Sequence, residues 1–264
     1  MNFFKILLKI AILVVLLQTN PDKCRANSIF KNIHQPPKNM NAIIQTPTGN
    51  LAESRAFYET LGFKKLAENI YTDGKALVQI NNARTARAGV KLFKSSWQEE
   101  IKLLKEITPV KEHKGEYLLS DGSGMYIYLV EGEPPVSFQK EENSFSTLGN
   151  FIGVSAETTD MLKSVKIVEI LGFKKTMGAV EYGFIALSND AGFGFSFMKP
   201  PCPHMFFNPS LTYFNGEKNL DVIENIRALK IPITEEITEF NKEGIVDNII
   251  IRDPGGYGFF IFSD

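Results

Sequence analysis

The sequence has two cysteines, Cys24 and Cys202, in 264 residues, and no CxxC pair. That leaves no support for a redox dithiol or a cysteine zinc knuckle. Cys202 reads as a small packed loop residue; a nucleophilic thiol needs a positioned base, and His204 two residues on is weak evidence for one. Histidine is as scarce: His34, His113 and His204 are the complete set, and each falls in a segment that reads as surface or loop. Only His204, held among prolines in PPCPHM, is placed to lean over a site mouth. An excess of one charge is missing too. The formal net charge is −1, so no overall field recruits nucleic acid or an anionic membrane. The basic residues Arg84, Arg87, Lys91 and Lys94 read as a solvated loop, and Glu235 to Glu243 as a solvated hairpin. No GxxxxGK[ST] phosphate loop, GxGxxG fingerprint or GxSxG elbow occurs; AGFGFSF is glycine-spaced but lies in a strand.

Long hydrophobic runs are also lacking. The longest stretch near the amino terminus, Ile10 to Leu17, is about eight residues, too short to span about 30 Å of hydrocarbon by itself. Preceded by Lys5 and Lys9, it fits a secretory signal peptide or anchor over residues 1–26, with membrane contact confined to residues 3–17. The expected location is then periplasmic, secreted or membrane-anchored. Initiation at Met40, directly before the first strand, would instead leave the protein cytoplasmic. Residues 27–40 read as a linker, since Pro36-Pro37 blocks helix and sheet alike.

What is present is phenylalanine, 21 residues against one tryptophan, within a globular composition of 44% hydrophobic and 22% charged residues. So many rings must be buried or line something apolar. A repeat is present as well. NLAESRAFYETLGFKK (50–65) and DMLKSVKIVEILGFKK (160–175) each show a capping residue, apolar positions at helical spacing, and Leu-Gly-Phe-Lys-Lys. Leu51, Phe57, Tyr58 and Leu61 share one helical face; Leu162, Val165, Val168 and Leu171 share the other. Gly62 and Gly172 fall where a helix ends on a left-handed residue. The flanks match: a strand ahead (Ala42 to Thr46; Phe151 to Ser155), strands behind, then a further strand, a second helix and a closing hairpin at SDGSG or RDPGG. The second helices are expected at Ser96 to Ile107, opened by a Ser96/Glu99 capping box, and at about Asn219 to Leu229.

The string LAESRAFYETLGF and the ending DPGGYGFFIF resemble the vicinal oxygen chelate superfamily, which holds glyoxalase I, the bleomycin-resistance proteins and the extradiol dioxygenases. The resemblance implies an α+β fold of tandem βαβββ modules forming two open cup-shaped sheets. The expected domains are residues 41–131 and 148–264, joined by a linker over 132–147.

In metal-dependent relatives a His or Glu from the first and fifth strands and a Glu near the end of the fourth or eighth bind one divalent ion. Those positions fall here on Ile43 and Tyr128 in the first half, and on Gly153, Ser196, Thr212 and Phe260 in the second. None is a His, Asp or Glu, so no metal or other cofactor is expected. Strand alternation then lines the first cup with Gln45, Tyr126 and Tyr128, and the second with Ser196, Met198, Thr212, Phe214, Phe260 and Phe262, beside Phe151 and Ser155. Gly153 and Gly194 suggest open space. The expected partner is a small aromatic or amphiphilic molecule, with no nucleic acid; a homodimer stays compatible with the sequence. Three readings stay open: a metal-independent binding protein, a metal-dependent lyase, isomerase or dioxygenase using other ligands, and a catalytically dead interaction scaffold whose cups are collapsed.

Overall fold

A computed structural model describes residues 42–263 except 114, 122, 201–208 and 239–240. The expected signal or anchor segment, the linker 27–40, Cys24, His34, Cys202 and His204 lie outside the described residues.

Four βαβββ modules follow one another. The first is β1 (Ala42–Pro47), α1 (Leu51–Thr60), β2 (Lys64–Ala67), β3 (Ile70–Thr72) and β4 (Leu77–Asn81). The second is β5 (Gly89–Lys94), α2 (Gln98–Leu104), β6 (Lys111–His113), β7 (Glu116–Ser120) and β8 (Tyr126–Glu131). The third is β9 (Phe151–Glu157), α3 (Met161–Ile170), β10 (Lys174–Ala179), β11 (Phe184–Ser188) and β12 (Gly194–Met198). The fourth is β13 (Ser210–Phe214), α4 (Asn219–Ala228), β14 (Ile233–Ile237), β15 (Asn248–Arg252) and β16 (Gly258–Phe262).

Modules one and two share a sheet of order β2-β3-β4-β1-β5-β8-β7-β6; modules three and four share one of order β10-β11-β12-β9-β13-β16-β15-β14. Within each module the first strand pairs in parallel with the last; the two first strands meet antiparallel at the sheet's centre. The expected tandem module architecture is therefore the one observed.

Local chemistry explains the elements. Asn50 Oδ1 accepts from Glu53 N at 3.2 Å and Asp160 Oδ1 from Lys163 N at 3.1 Å, so both repeat helices carry the expected N-caps. Gly62 and Gly172 end them with φ of 88° and 92°, a conformation that favours glycine. Some expectations fail. In α3, Leu162 is 70% exposed and Met161 takes the buried position. The Ser96/Glu99 box is not formed; Glu131, at the end of β8, accepts from Trp97 N at 3.0 Å and ties the start of α2 to the sheet. The edge strand β14 occupies part of the segment read as a solvated hairpin, and Lys91 and Lys94 belong to β5, not to a loop.

The inward faces of both sheets and of the helices share one core, including Tyr58, Leu61, Ile101, Val168, Phe195, Tyr213, Ile226 and Phe259. Four equivalent turns stand at the ends of the modules. Asp73, Asp121, Asn189 and Asp253 each use Oδ1 to accept from backbone N–H groups just downstream, at 2.7–3.1 Å. Two of these carboxylates also lock the halves together. Tyr58 Oη donates to Asp253 Oδ2 at 3.0 Å, and Tyr213 Oη donates to Asp73 Oδ2 at 3.1 Å. Burial holds all three carboxyls above the usual range, Asp253 at about 6.

Candidate functional site

The sheet faces turned away from the core form the two cups, and they are built differently. In the first, β1 presents Ile43 and Gln45, β4 Leu77, and β5 Lys91 and Phe93, with Lys91 opposite Tyr128 of β8. Ile43, Ile70, Leu77 and Phe93 form a small apolar cluster with Phe138, and Val136 packs against it. Phe138 and Val136 come from the segment 132–147, which was expected only to join the halves. That segment is pinned to the first half: Glu141 N donates to Gly74 O at 2.7 Å, Phe145 N to Asp73 O at 2.9 Å and Thr147 N to Leu61 O at 2.9 Å. The linker thus covers part of the first cup.

Gln45 and Tyr128 do come together, but on protein groups. Gln45 Nε2 donates to Arg87 O at 2.9 Å, Tyr128 Oη donates to the same carbonyl at 3.4 Å, and Asn81 Nδ2 donates to Gln45 Oε1 at 2.9 Å. Burial, outweighing the bond to Arg87, raises the Tyr128 hydroxyl's pKa. Tyr126, two residues along the same strand, lines a groove instead. Beside Tyr128, Lys91 Nζ bonds Glu116 Oε1 at 3.0 Å and lies 5.6 Å from the ring centroid. This pair was missed because Lys91 was assigned to a basic loop; the alternation in GVKLFK, which puts Lys91 and Phe93 on one face, was the available clue.

In the second cup the expected residues lie side by side. Ser155 Oγ is 2.6 Å from Ser196 Oγ and 2.9 Å from Thr212 Oγ1, and Thr212 Oγ1 donates to Gly153 O at 2.9 Å. This hydroxyl chain runs across β12, β9 and β13 at the centre of the sheet. Register places Thr212 beside Phe260 and Phe214 beside Phe262. The Phe260 and Phe262 rings stack with centroids 4.7 Å apart, and Phe214 lies 5.3 Å from Phe262. Phe260 packs with Ile237 and Ile250, while Phe214 is 40% exposed. Met198 ends β12 on the same alternation as Ser196.

Two expectations about this cup are corrected. Phe151 lies on the core face, 5.5 Å from the Tyr213 ring, because the β9–β13 register shifts between Thr212 and Tyr213 and carries it across the sheet. Gly153 and Gly194 do not open space for a ligand. A Cβ on Gly153 would stand 2.5 Å from Gly194 O, and one on Gly194 would stand 2.5 Å from Ile152 O, so both glycines permit close backbone approach.

A divalent ion of the kind implied by the fold needs several carboxylate or imidazole ligands. The residues at the cup centres do not fit one: an ammonium group and a phenol beside Ile43 in the first, chained hydroxyls and a phenyl ring in the second. Among the described residues, no group of three or more His, Cys, Asp or Glu is placed to hold a metal ion. His113 lies on the exposed edge strand β6.

The fold, two mixed eight-stranded sheets built from tandem βαβββ modules, is of the vicinal oxygen chelate type and is shared with solved dioxygenases. Homoprotocatechuate 2,3-dioxygenase from Arthrobacter globiformis matches with a TM-score of 0.53 at 16% identity, over 86% of this chain and 80% of that one. The enzyme from Brevibacterium fuscum, solved with 3,4-dihydroxyphenylacetate, matches at 0.52 and 15% identity, over 89% and 83%. A catechol 2,3-dioxygenase matches at 0.50 and 12%, over 83% and 85%. No protein-family model and no curated protein sequence matches this chain.

Proposed function

We propose that this protein binds a small aromatic or amphiphilic molecule, without a metal ion, in the cup of its second half. The observation that carries the reading is the Ser196–Ser155–Thr212 hydroxyl chain, lying beside the Phe260–Phe262 stack. Hydroxyls that partner one another need no ion to satisfy them, and with their protons committed along the chain to Gly153 O they can still accept a bond from a ligand's polar end. The stacked rings, with Phe214 and Met198, offer apolar surface to its body. A thermal-shift screen of aromatic and amphiphilic compounds, followed by native mass spectrometry, is expected to give hits weakened by Phe214→Ala and Thr212→Val. No hit across broad chemotypes would count against the reading.

Metal-dependent dioxygenase or lyase chemistry is the second reading, favoured by the fold alone. Elemental analysis of the purified protein separates the two: a stoichiometric transition metal would overturn the first.

A further inference from the structure

A groove of about 470 Å³ lies at the β6–β8 side of the first sheet, and no second-cup residue lines it. Arg87 enters it from the β4–β5 loop, Lys111 from β6, and Lys163 from the first turn of α3 in the other half. Between them stand Tyr126 and the apolar wall of Leu118 and Pro109. We propose that this groove is a binding site for a small organic anion, with its phosphate or carboxylate head among the three cations and its apolar body against Leu118 and Pro109.

Four observations carry the proposal. First, Arg87, Lys111 and Lys163 have no ion pair among the described residues, although the chain holds 30 acidic residues to 29 basic ones. Glu116, on the neighbouring strand β7, is committed to Lys91 at 3.0 Å. Second, Lys163 stands where a cation is disfavoured. The first turn of a helix carries partial positive charge and prefers acidic side chains; the acid at the start of α3, the N-cap Asp160, is bonded to the Lys163 backbone N–H at 3.1 Å, and the Lys163 ammonium has no ion pair with it. A residue that breaks a local rule without a structural partner marks a position kept for another reason. Third, the Arg87 backbone is fixed, since Gln45 and Tyr128 both donate to its carbonyl; its guanidinium spends one N–H on Ala86 O at 2.9 Å and keeps the others for the groove. Fourth, the Tyr126 hydroxyl has no hydrogen-bond partner among the described residues and is positioned on the groove wall to donate to an anion. Register sets Lys111 beside Leu118, and Ser120 beside Tyr126, so cation, hydroxyl and apolar surface share one sheet face.

The test uses the full chain, with phenyl phosphate, benzoate and inorganic phosphate as probes, by isothermal titration calorimetry at low ionic strength. Phenyl phosphate or benzoate is expected to bind more tightly than inorganic phosphate, and whichever of the two is tighter identifies the head group. Arg87→Gln and Lys163→Gln, both at surface or half-buried positions that should fold, are each expected to weaken binding about tenfold, the loss of one charge-assisted contact. Lys242→Gln, a charge change in the second half's β14–β15 loop, should leave it unchanged. Affinity unaltered in Lys163→Gln, equal weakening in Lys242→Gln, or no heat from any probe would overturn the proposal. So would binding that survives Lys163→Gln and is lost in Phe214→Ala, since that places the probe in the second cup. Failure of the second-cup reading leaves these outcomes untouched.

Discussion

The two cups come from the same module pattern, yet one is covered in part by its own chain and the other carries a hydroxyl chain beside a row of rings. In the first, Phe138 and Val136 of the linker sit on Ile43, Ile70, Leu77 and Phe93. In the second, Ser155, Ser196 and Thr212 satisfy one another beside Phe260 and Phe262. A duplicated scaffold therefore does not duplicate its site. What differs is the residue at each inward strand position and the segment that crosses the mouth, neither of which the backbone architecture dictates.

The largest expected effect tests the covering. Phe138 is 9% exposed and fills an apolar cluster, so Phe138→Ala should cost about 3 kcal/mol of stability, the usual range for removing a packed phenyl ring. A urea titration would read this as a lower midpoint with an unchanged slope. With the second cup weakened by Phe214→Ala in both proteins, the variant should also bind more of an apolar fluorescent dye than its Phe138 counterpart. A stable variant with no new dye binding would mean the linker covers nothing that matters and the contrast between the cups is superficial.

A second comparison sits at the interface of the halves, where each half sends a turn carboxylate to the other's tyrosine. Burial raises the Asp253 carboxyl to about 6 from 3.8. The folded state thus holds that proton more tightly than the unfolded chain does. Its contribution to stability is full below pH 4 and is lost as pH rises through 6. Two pKa units correspond to about 3 kcal/mol across that window. Asp253→Asn keeps an Oδ1 for Gly255 N and Tyr257 N and has no proton to lose. Its stability should therefore be flatter between pH 4 and 6.5, and at neutral pH equal to or above the parent's. A parent that gains stability on going from pH 4 to 6.5 relative to the variant would reverse the sign and refute the assignment. Asp73, shifted in the same direction by burial, should behave likewise when changed to Asn.

Much of this was legible beforehand because it is local. The repeat helices, their Asn50 and Asp160 caps and their Gly62 and Gly172 ends follow from residues within a turn of one another. Strand alternation also gathered Ser196 and Thr212, and Phe260 with Phe262, correctly onto one face. What escaped depends on residues far apart. Alternation fails at Phe151 because a register shift with β13 resets the period, and nothing in FIGVS announces it beyond the glycine. Glu131 capping α2 and Asp253 accepting from Tyr58 are contacts across the fold. Phe138 read as part of a linker because its partners, Ile43 to Phe93, are spread over four strands. The four-fold Asx turn was visible as TDG, SDG, SND and RDP, but its second task, joining the halves, requires the packed structure.

The smallest effect concerns the charged pair in the first cup. Lys91 and Glu116 are 3.0 Å apart, with side chains 14% and 30% exposed, and Lys91 also lies over Tyr128. Partial exposure lets water screen the attraction, so the pair should behave like a surface ion pair and not a buried one. Lys91→Met keeps the aliphatic stem against the Tyr128 ring and removes the charge. The expected loss is under about 1 kcal/mol at low ionic strength, shrinking further in high salt. A loss of about 3 kcal/mol or more, insensitive to salt, is instead what breaking a desolvated pair produces. That result would mean the linker excludes water from the first cup more completely than the exposure of Lys91 and Glu116 suggests. It would extend the covering by Phe138 from the apolar half of that cup to its polar half. The Phe138→Ala, Lys91→Met double variant decides between these, since removing the cover should restore salt screening and bring the Lys91 contribution back down.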